Sequence, residues 1–289
     1  MKLKLLLVCI LVTVSIWSTA QTIPYSKGRI VISSDGNEHD EDDWAATPMS
    51  LALLKAAGLE DQLAVYSFSD HTWGSNKEKP GADAQMRESA FMGSKWFGSK
   101  KTKFIEAVTA PNYAIIELTL QINASSEKDP LTIIAAGPME VIGNALNESK
   151  ADKLKFVRLI SHSEWNNNHA EKPYEWEKHS GWTWDKLKAE FEPKGLTFDQ
   201  IEDQNGGADY EGLKTSKSRY DWLKSSPAKD TKPFSKGSWD WLYSRLEAAQ
   251  KGDEFDPSDA GMVLYLLTGK EKNTPDDLKQ ILENGWKVK

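Results

Sequence analysis

The stretch Arg29-Ile30-Val31-Ile32-Ser33-Ser34-Asp35-Gly36-Asn37-Glu38-His39-Asp40-Glu41-Asp42-Asp43 places six carboxylates directly after a short apolar run. The β-branched run predicts a buried strand, and the pattern that begins near Trp44 predicts a helix. Ligands of open α/β sheets bind in the crevice beyond the carboxyl ends of the strands. Carboxylates this close together repel one another unless they share protons or a cation. Because all the ligands offered are oxygens, the loop favours calcium first and magnesium second.

Strand-like and helix-like segments alternate on both sides of this loop. Strands are predicted over 29–34, 63–69, 103–108, 131–136 and 155–161, and helices over 44–57, 83–97, 113–125 and 139–146. Three further helices are predicted over 239–250, 259–267 and 275–284. A repeated βα unit predicts an α/β fold with a mostly parallel open sheet and helices on both faces.

The segment 162–236 is polar and rich in Trp, Asn, Gly and Lys, which predicts binding loops or a lid. Two groups of tryptophans stand out: Trp165, Trp176, Trp182 and Trp184, and then Trp222, Trp239 and Trp241. Two interpretations stay open for them. They could be stacking platforms for a sugar ring or a base, or small satellite cores under long loops.

Residues 1–20 have the pattern of a signal peptide. Lys2 and Lys4 precede an apolar run over 5–17, and small residues at 18–20 offer a cleavage site. The expectation is an exported protein, periplasmic or secreted, with a single domain over 21–289. An uncleaved anchor is the alternative interpretation of this segment. The single cysteine, Cys9, lies in the leader, so the mature protein is expected to lack disulfides.

The acidic charge limits the classes of partner. The formal net charge is −7, and it becomes −9 when Lys2 and Lys4 leave with the leader. With no clustered basic stripe, nucleic acid is not an expected partner. No later segment is apolar and long enough to predict a membrane span.

Two more segments place polar residues where a strand meets a helix. Ala136-Gly137-Pro138-Met139-Glu140 follows a predicted strand, and Asp259 heads an apolar helix within Phe255–Tyr265. Helix capping alone could explain Asp259, and the acidic loop itself could be a solvated helix N-terminus. The sequence contains no EF-hand loop, no glycine-rich phosphate loop and no GxSxG elbow.

Together the three segments resemble the calcium-dependent nucleoside hydrolase family, which includes the inosine- and uridine-preferring enzymes. The family loop Asp-x-Asp-Pro-Gly-x-Asp-Asp is matched by Ser33-Ser34-Asp35, six residues, and Asp42-Asp43. The family turn Gly-Pro-Leu-Thr-Asn is matched by Gly137-Pro138-Met139-Glu140, and its late Asp by Asp259. The longer loop is more similar to divergent exported members of bacterial sugar-processing systems.

The resemblance implies a nucleoside hydrolase-like, Rossmann-related fold, and a homo-oligomer as in the family. It implies that Asp35, Asp43 and Asp259 bind Ca²⁺ through their side chains and Glu140 through its backbone carbonyl. Asp35 matches the general base for water attack on the anomeric carbon, and Asp42 and Asp43 match positions that grip sugar hydroxyls. The transition state would resemble an oxocarbenium ion.

The sequence departs from the family at several positions. Ser33 stands in place of the first Asp, and Ser258 in place of a histidine that assists the leaving base. Candidate substrate contacts are His162, Asn166 and Asn168 with Glu175, and Asp70, His71, Trp73 and Asn76 after the second strand. Asn167 and Glu177 are further candidates for sugar binding, and His162 or His169 could supply an acid in place of the missing histidine.

Three functions stay open from the sequence. The first is a calcium-dependent hydrolase of an N- or O-glycosidic bond in a nucleoside or oligosaccharide. The second is an exported glycan lyase or dehydratase on the same scaffold. The third is a carbohydrate-binding protein without catalysis.

Overall fold

The structure is a computed structural model that describes residues 24–37, 40–72, 81–168 and 181–287. The predicted leader, residues 1–20, lies outside the described residues. So do the candidate residues Trp73, Asn76, His169, Glu175 and Glu177, together with Trp176. No helix in the described ranges is long and apolar enough to cross a bilayer.

Six parallel strands form the central sheet in the order β3-β2-β1-β4-β5-β6. They are β1 (Arg29–Ser34), β2 (Leu63–Phe68), β3 (Lys103–Glu106), β4 (Leu131–Ala136), β5 (Val157–Ser161) and β6 (Thr197–Gln200). The chain moves outward in one direction from β1 to β3 and in the other from β4 to β6. The strand order therefore reverses between β1 and β4, and the carboxyl ends of these two strands open a crevice.

Helices cover both faces of the sheet, which confirms the predicted fold class. They are α1 (Asp43–Ala56), α2 (Ala82–Arg87), α3 (Gly93–Phe97), α4 (Pro111–Asn123), α5 (Glu140–Glu148), α6 (Glu164–Asn168), α7 (Trp184–Phe191), α8 (Trp222–Ser225), α9 (Ser238–Ala248), α10 (Ala260–Thr268) and α11 (Pro275–Asn284). A turn of π-helix over Glu88–Met92 joins α2 to α3. A two-stranded antiparallel ribbon, β7 (Thr215–Ser216) with β8 (Glu254–Phe255), stands apart from the sheet.

The two faces of the sheet pack into two separate cores. In β1, Ile30 and Ile32 join the core beneath α1, α9, α10 and α11, whereas Val31 joins the core beneath α4, α5 and α7. A strand buried on both faces reads as a continuous apolar run, which is why β1 was recognisable from the sequence. Each such buried side chain contributes about 1.5–3 kcal/mol to folding.

The segment 162–236 contains more structure than loops or a lid, so that expectation is wrong in part. It supplies α7 and the edge strand β6. Trp184 is 2% exposed and packs edge-on against Phe198, with ring centroids 5.2 Å apart. Trp239 is buried between Trp222 and Phe234. Trp184 and Trp239 are thus part of the two main cores, and neither a stacking platform nor a satellite core describes them.

Candidate functional site

Asp35 lies at the point where the strand order reverses. Its N–H donates to the carbonyl of Ala136, the last residue of β4, at 3.2 Å. A Cβ at Gly137 would lie 2.8 Å from the Asp35 nitrogen and 3.0 Å from its Cγ. Glycine at 137 is thus what allows β4 to approach this carboxylate so closely.

The chain after β2 fixes the backbone of the same loop from the other side. The N–H of Ser69 donates to Asp35 O, and the N–H of Asp70 donates to Ser34 O, both at 3.0 Å. The Asp70 carboxylate accepts from Ser33 Oγ and from Ser67 Oγ. Burial raises the pKa of Asp70 to about 7, although both serine hydrogen bonds favour the ionised form.

The start of α1 does not behave as a solvated helix cap. Asp42 occupies the N-cap position, but its side chain makes no capping hydrogen bond. Asp43 is 1% exposed and accepts from Ser34 Oγ at 2.6 Å. Capping would leave these carboxylates in water beside the first turn. Their burial instead points to a site.

Asp259, at the start of α10, does not act as a helix cap either. It is the N-cap residue, yet it makes no side-chain capping bond. Its Oδ1 accepts from His162 Nε2 at 2.5 Å and from Asn166 Nδ2 at 3.2 Å. The capping interpretation of Asp259 is therefore wrong. Its carboxylate is held in the crevice by one side chain from the end of β5 and one from α6.

His162 is turned toward Asp259. At Nδ1, the backbone N–H of Gln204 lies at 3.2 Å and the Asp203 carboxylate at 3.5 Å. Burial disfavours the charged imidazole, but the bonds and charges of Asp203 and Asp259 outweigh it and raise the pKa of His162 to about 9. Neutral or charged, the imidazole donates from Nε2 to Asp259. His162 thus positions Asp259.

These groups line a polar cavity of about 180 Å³. Its walls are Asp35, Asp40, Asp42, His162, Ser163, Trp165, Asn166, Asn205, Lys214, Lys251, Asp256, Ser258 and Asp259. Asp43 lies directly behind Asp35. Ligand pockets for drug-sized molecules hold roughly 300–1,000 Å³, so this cavity matches a single sugar ring better than a long chain.

Four carboxylates form a cluster in which ionisation is unfavourable: Asp35, Asp40, Asp42 and Asp43. Burial raises the pKa of Asp35, Asp42 and Asp43 well above the ordinary value, and neighbouring carboxylates raise it further for Asp35 and Asp42. Burial also raises the pKa of Asp40. The Asp35 carboxyl group contacts those of Asp40 and Asp43. Such contacts are favourable only when a proton or a cation lies between the oxygens.

Three buried oxygens in the cluster receive no hydrogen bond from any described residue: Asp35 Oδ2, Asp42 Oδ1 and Asp43 Oδ2. A buried charge without a partner costs several kcal/mol. No group of three or more His, Cys, Asp or Glu side chains in the described ranges already stands in ligand geometry around one point. The donor set nevertheless suits a hard cation, because it is all oxygen and carries unused lone pairs.

The structure brings together many of the predicted site residues but not all of them. Asp35, Asp42, Asp259, His162 and Asn166 line the cavity, with Asp43 behind them. Glu140 does not line the cavity. Its carboxylate accepts from Asn144 Nδ2 and from the Trp182 backbone N–H, and its role as a backbone-carbonyl ligand stays a prediction.

The other predicted contacts lie around the site. Asp70 and His71 are buried and do not line the cavity, and the backbone of His71 is paired with the Asn37 side chain. Asn168 lies in a neighbouring cleft with Asp203 and Glu271. The prediction that these residues touch a ligand has no support in the geometry.

The sequence did not indicate three residues of the cavity wall: Lys214, Lys251 and Asn205. Lys214 and Lys251 precede the two ribbon strands, where no periodic pattern marks them. Asp256 could have been found, since it lies three residues before Asp259 in a segment already singled out.

The chain is similar to a protein of *Formosa agariphila* described as uncharacterized protein P22. The two are 34% identical over 284 residues, which cover 92% of this chain and 95% of that one. The chain belongs to the family of P22. No family model matches the sequence.

Among solved structures, the chain is similar to an inosine-uridine preferring nucleoside hydrolase from *Bacillus anthracis*. The sequence identity is 14% and the TM-score is 0.48, with 84% of this chain and 82% of that chain covered. This similarity is too distant to assign a function to the chain.

Proposed function

We propose that this protein is an exported, calcium-dependent hydrolase that cleaves an N- or O-glycosidic bond in a nucleoside or a small oligosaccharide. One observation carries the proposal: the buried carboxylates of Asp35 and Asp43 are in contact and leave oxygens without donors at the switch point of an α/β sheet. The leader over 1–20 supports export.

Asp35, Asp43 and Asp259 are the residues that would hold the cation. A bound divalent cation supplies positive charge that makes a nearby water easier to deprotonate. Asp35 takes up a proton as the water oxygen bonds to the anomeric carbon. The electron pair of the broken glycosidic bond goes to the leaving group, which takes up a proton from solvent. Asp42 accepts hydrogen bonds from sugar hydroxyls, and Asn166 donates to them. His162 keeps Asp259 in place.

Trp165 supports a sugar ligand. It lines the cavity, and its Nε1 donates to Asp40 at 3.1 Å. An indole fixed in this way offers an apolar face to the C–H side of a sugar ring. This is the member of the first tryptophan group for which the stacking interpretation is favoured.

The test is release of reducing sugar or free base from a panel of nucleosides and oligosaccharides, with calcium and with a chelator. Asp35→Asn should lose turnover by at least about 10²-fold, the lower range for a general base, while calcium still raises its melting temperature. Asp199→Asn is the matched control, because it makes the same substitution in the edge strand β6, outside the cavity. This variant should keep its activity.

Each other outcome favours a different function. An unsaturated product that absorbs in the ultraviolet would indicate a lyase. Sugar binding with no product at any pH would indicate a binding protein. Full activity in Asp35→Asn would contradict the assignment of the base.

A further inference from the structure

Two lysines enter the acidic cavity from the β7–β8 ribbon. Lys214 directly precedes β7, and Lys251 pairs across the turn with Glu254 at the start of β8. Both line the same cavity as Asp35 and Asp259. The ribbon therefore brings two positive charges to a cavity that is lined by five aspartates.

Each lysine contacts a carboxylate at the edge of the cluster. Lys214 Nζ lies 3.1 Å from Asp256 Oδ2, and Lys251 Nζ lies 3.0 Å from Glu41 Oε2. None of the ion pairs among the described residues joins a lysine to Asp35 or Asp43. The lysines therefore do not neutralise Asp35 and Asp43, whose carboxylates remain available to a cation.

Both ammonium groups remain open to a ligand. Their side chains are 37% and 45% exposed, and an ammonium group has three N–H donors. Their partner carboxylates are more buried, 4% exposed for Asp256 and 17% for Glu41, so each pair also offsets the cost of burying a carboxylate. One carboxylate partner leaves the further N–H donors of each ammonium group for a ligand in the cavity.

We propose that the sugar bound here carries a negative charge, as a carboxylate or a sulfate group, which Lys214 and Lys251 hold. The inference rests on the proposed function, because the inner carboxylates would repel an anion unless a cation offsets them. The hydroxyls of the ring would then face Asp42 and Asn166, and the charged substituent would face the ribbon. A neutral sugar would leave both ammonium groups without a ligand partner.

The experiment compares matched sugars by calorimetry in the presence of calcium. The probes are the methyl glycosides of glucose and galactose, their uronic acids and their 6-sulfates. At least one charged sugar should bind about tenfold or more tightly than its neutral parent, the size expected for one charge-assisted hydrogen bond. The carboxylate and sulfate arms identify which group the site prefers.

Substitution of the lysines tests their role. The double variant Lys214→Gln/Lys251→Gln should lose the preference for the charged sugar. Lys217→Gln is the matched control: Lys217 directly follows β7, is 47% exposed and pairs with Asp253 at 3.2 Å, but does not line the cavity. Because the readout is a ratio of two affinities in one sample, partial unfolding of a variant cancels.

The outcomes separate this inference from the proposed function. Calcium-dependent binding or turnover of neutral and charged sugars with equal affinity would overturn the inference and leave the hydrolase proposal standing. Binding of none of the probes would also overturn it. A charge preference that survives in the double variant would show that the lysines are not the recognising groups. Absence of calcium binding would contradict the proposed function itself.

Discussion

Asp70 offers a direct test of how burial controls the charges beneath the site. Its side chain is buried, accepts hydrogen bonds from Ser33 and Ser67, and has a pKa raised from 3.8 to about 7. In the folded protein the carboxyl group therefore keeps its proton through a range where the unfolded chain has lost it. The contribution of Asp70 to stability is fully present below about pH 4 and is lost as the pH rises through about 7.

The magnitude follows from the size of the shift. Three pKa units at 1.36 kcal/mol each correspond to about 4 kcal/mol between pH 4 and pH 8. Asp70→Asn removes the titrating group but keeps the shape of the side chain. At pH 4 we expect the Asp70→Asn variant to be no more stable than the wild type. At pH 8 we expect the variant to be the more stable of the two.

Urea unfolding followed by tryptophan fluorescence, at several pH values and with a chelator present, gives the difference in free energy between the two proteins. Asp209→Asn is the control, because Asp209 is exposed and Lys272 lowers its pKa. A difference between wild type and Asp70→Asn that is the same at pH 4 and pH 8 would refute the reasoning.

Three further predictions concern the cluster and the core. Gly137→Ala should destabilise the protein by about 1–3 kcal/mol and weaken calcium binding, because its Cβ would meet Asp35 at 2.8 Å; denaturation and calorimetry measure both effects. Asp43→Asn should raise the free energy of unfolding at pH 8 in chelator, because burial raises the pKa of Asp43 and makes its ionised form unfavourable, and it should reduce the rise in melting temperature with calcium. Trp184→Ala should cost about 3–5 kcal/mol without changing the ratio of affinities for charged and neutral sugars, whereas loss of sugar binding alone would restore its interpretation as a platform.

The sheet was largely predictable because its central strands are buried on both faces. The strands over 29–34 and 131–136 and the helix over 275–284 have the bounds that the sequence predicted. The edge strand β6 was missed because Asp199 and Gln200 give it a polar sequence. Its Asp199 instead pairs with Arg158 on β5, a contact that no local pattern reveals.

The residues of the site were predictable only where they directly follow a strand. The residue after β1, Asp35, and the residue after β5, His162, both reach the crevice because parallel strands end at the same edge. Lys214 and Asn205 come from irregular chain, and only tertiary packing brings them to the cavity. His162 shows the other limit, since the sequence marked it as a possible acid and the structure turns it toward Asp259.

The most direct test of the central claim is calcium titration of the purified protein by calorimetry, with Asp43→Asn and the double variant Asp35→Asn/Asp259→Asn alongside. The account predicts binding to the wild type, weaker binding to Asp43→Asn and none to the double variant. Calcium binding that is absent from the wild type, or unchanged in all the variants, would contradict it.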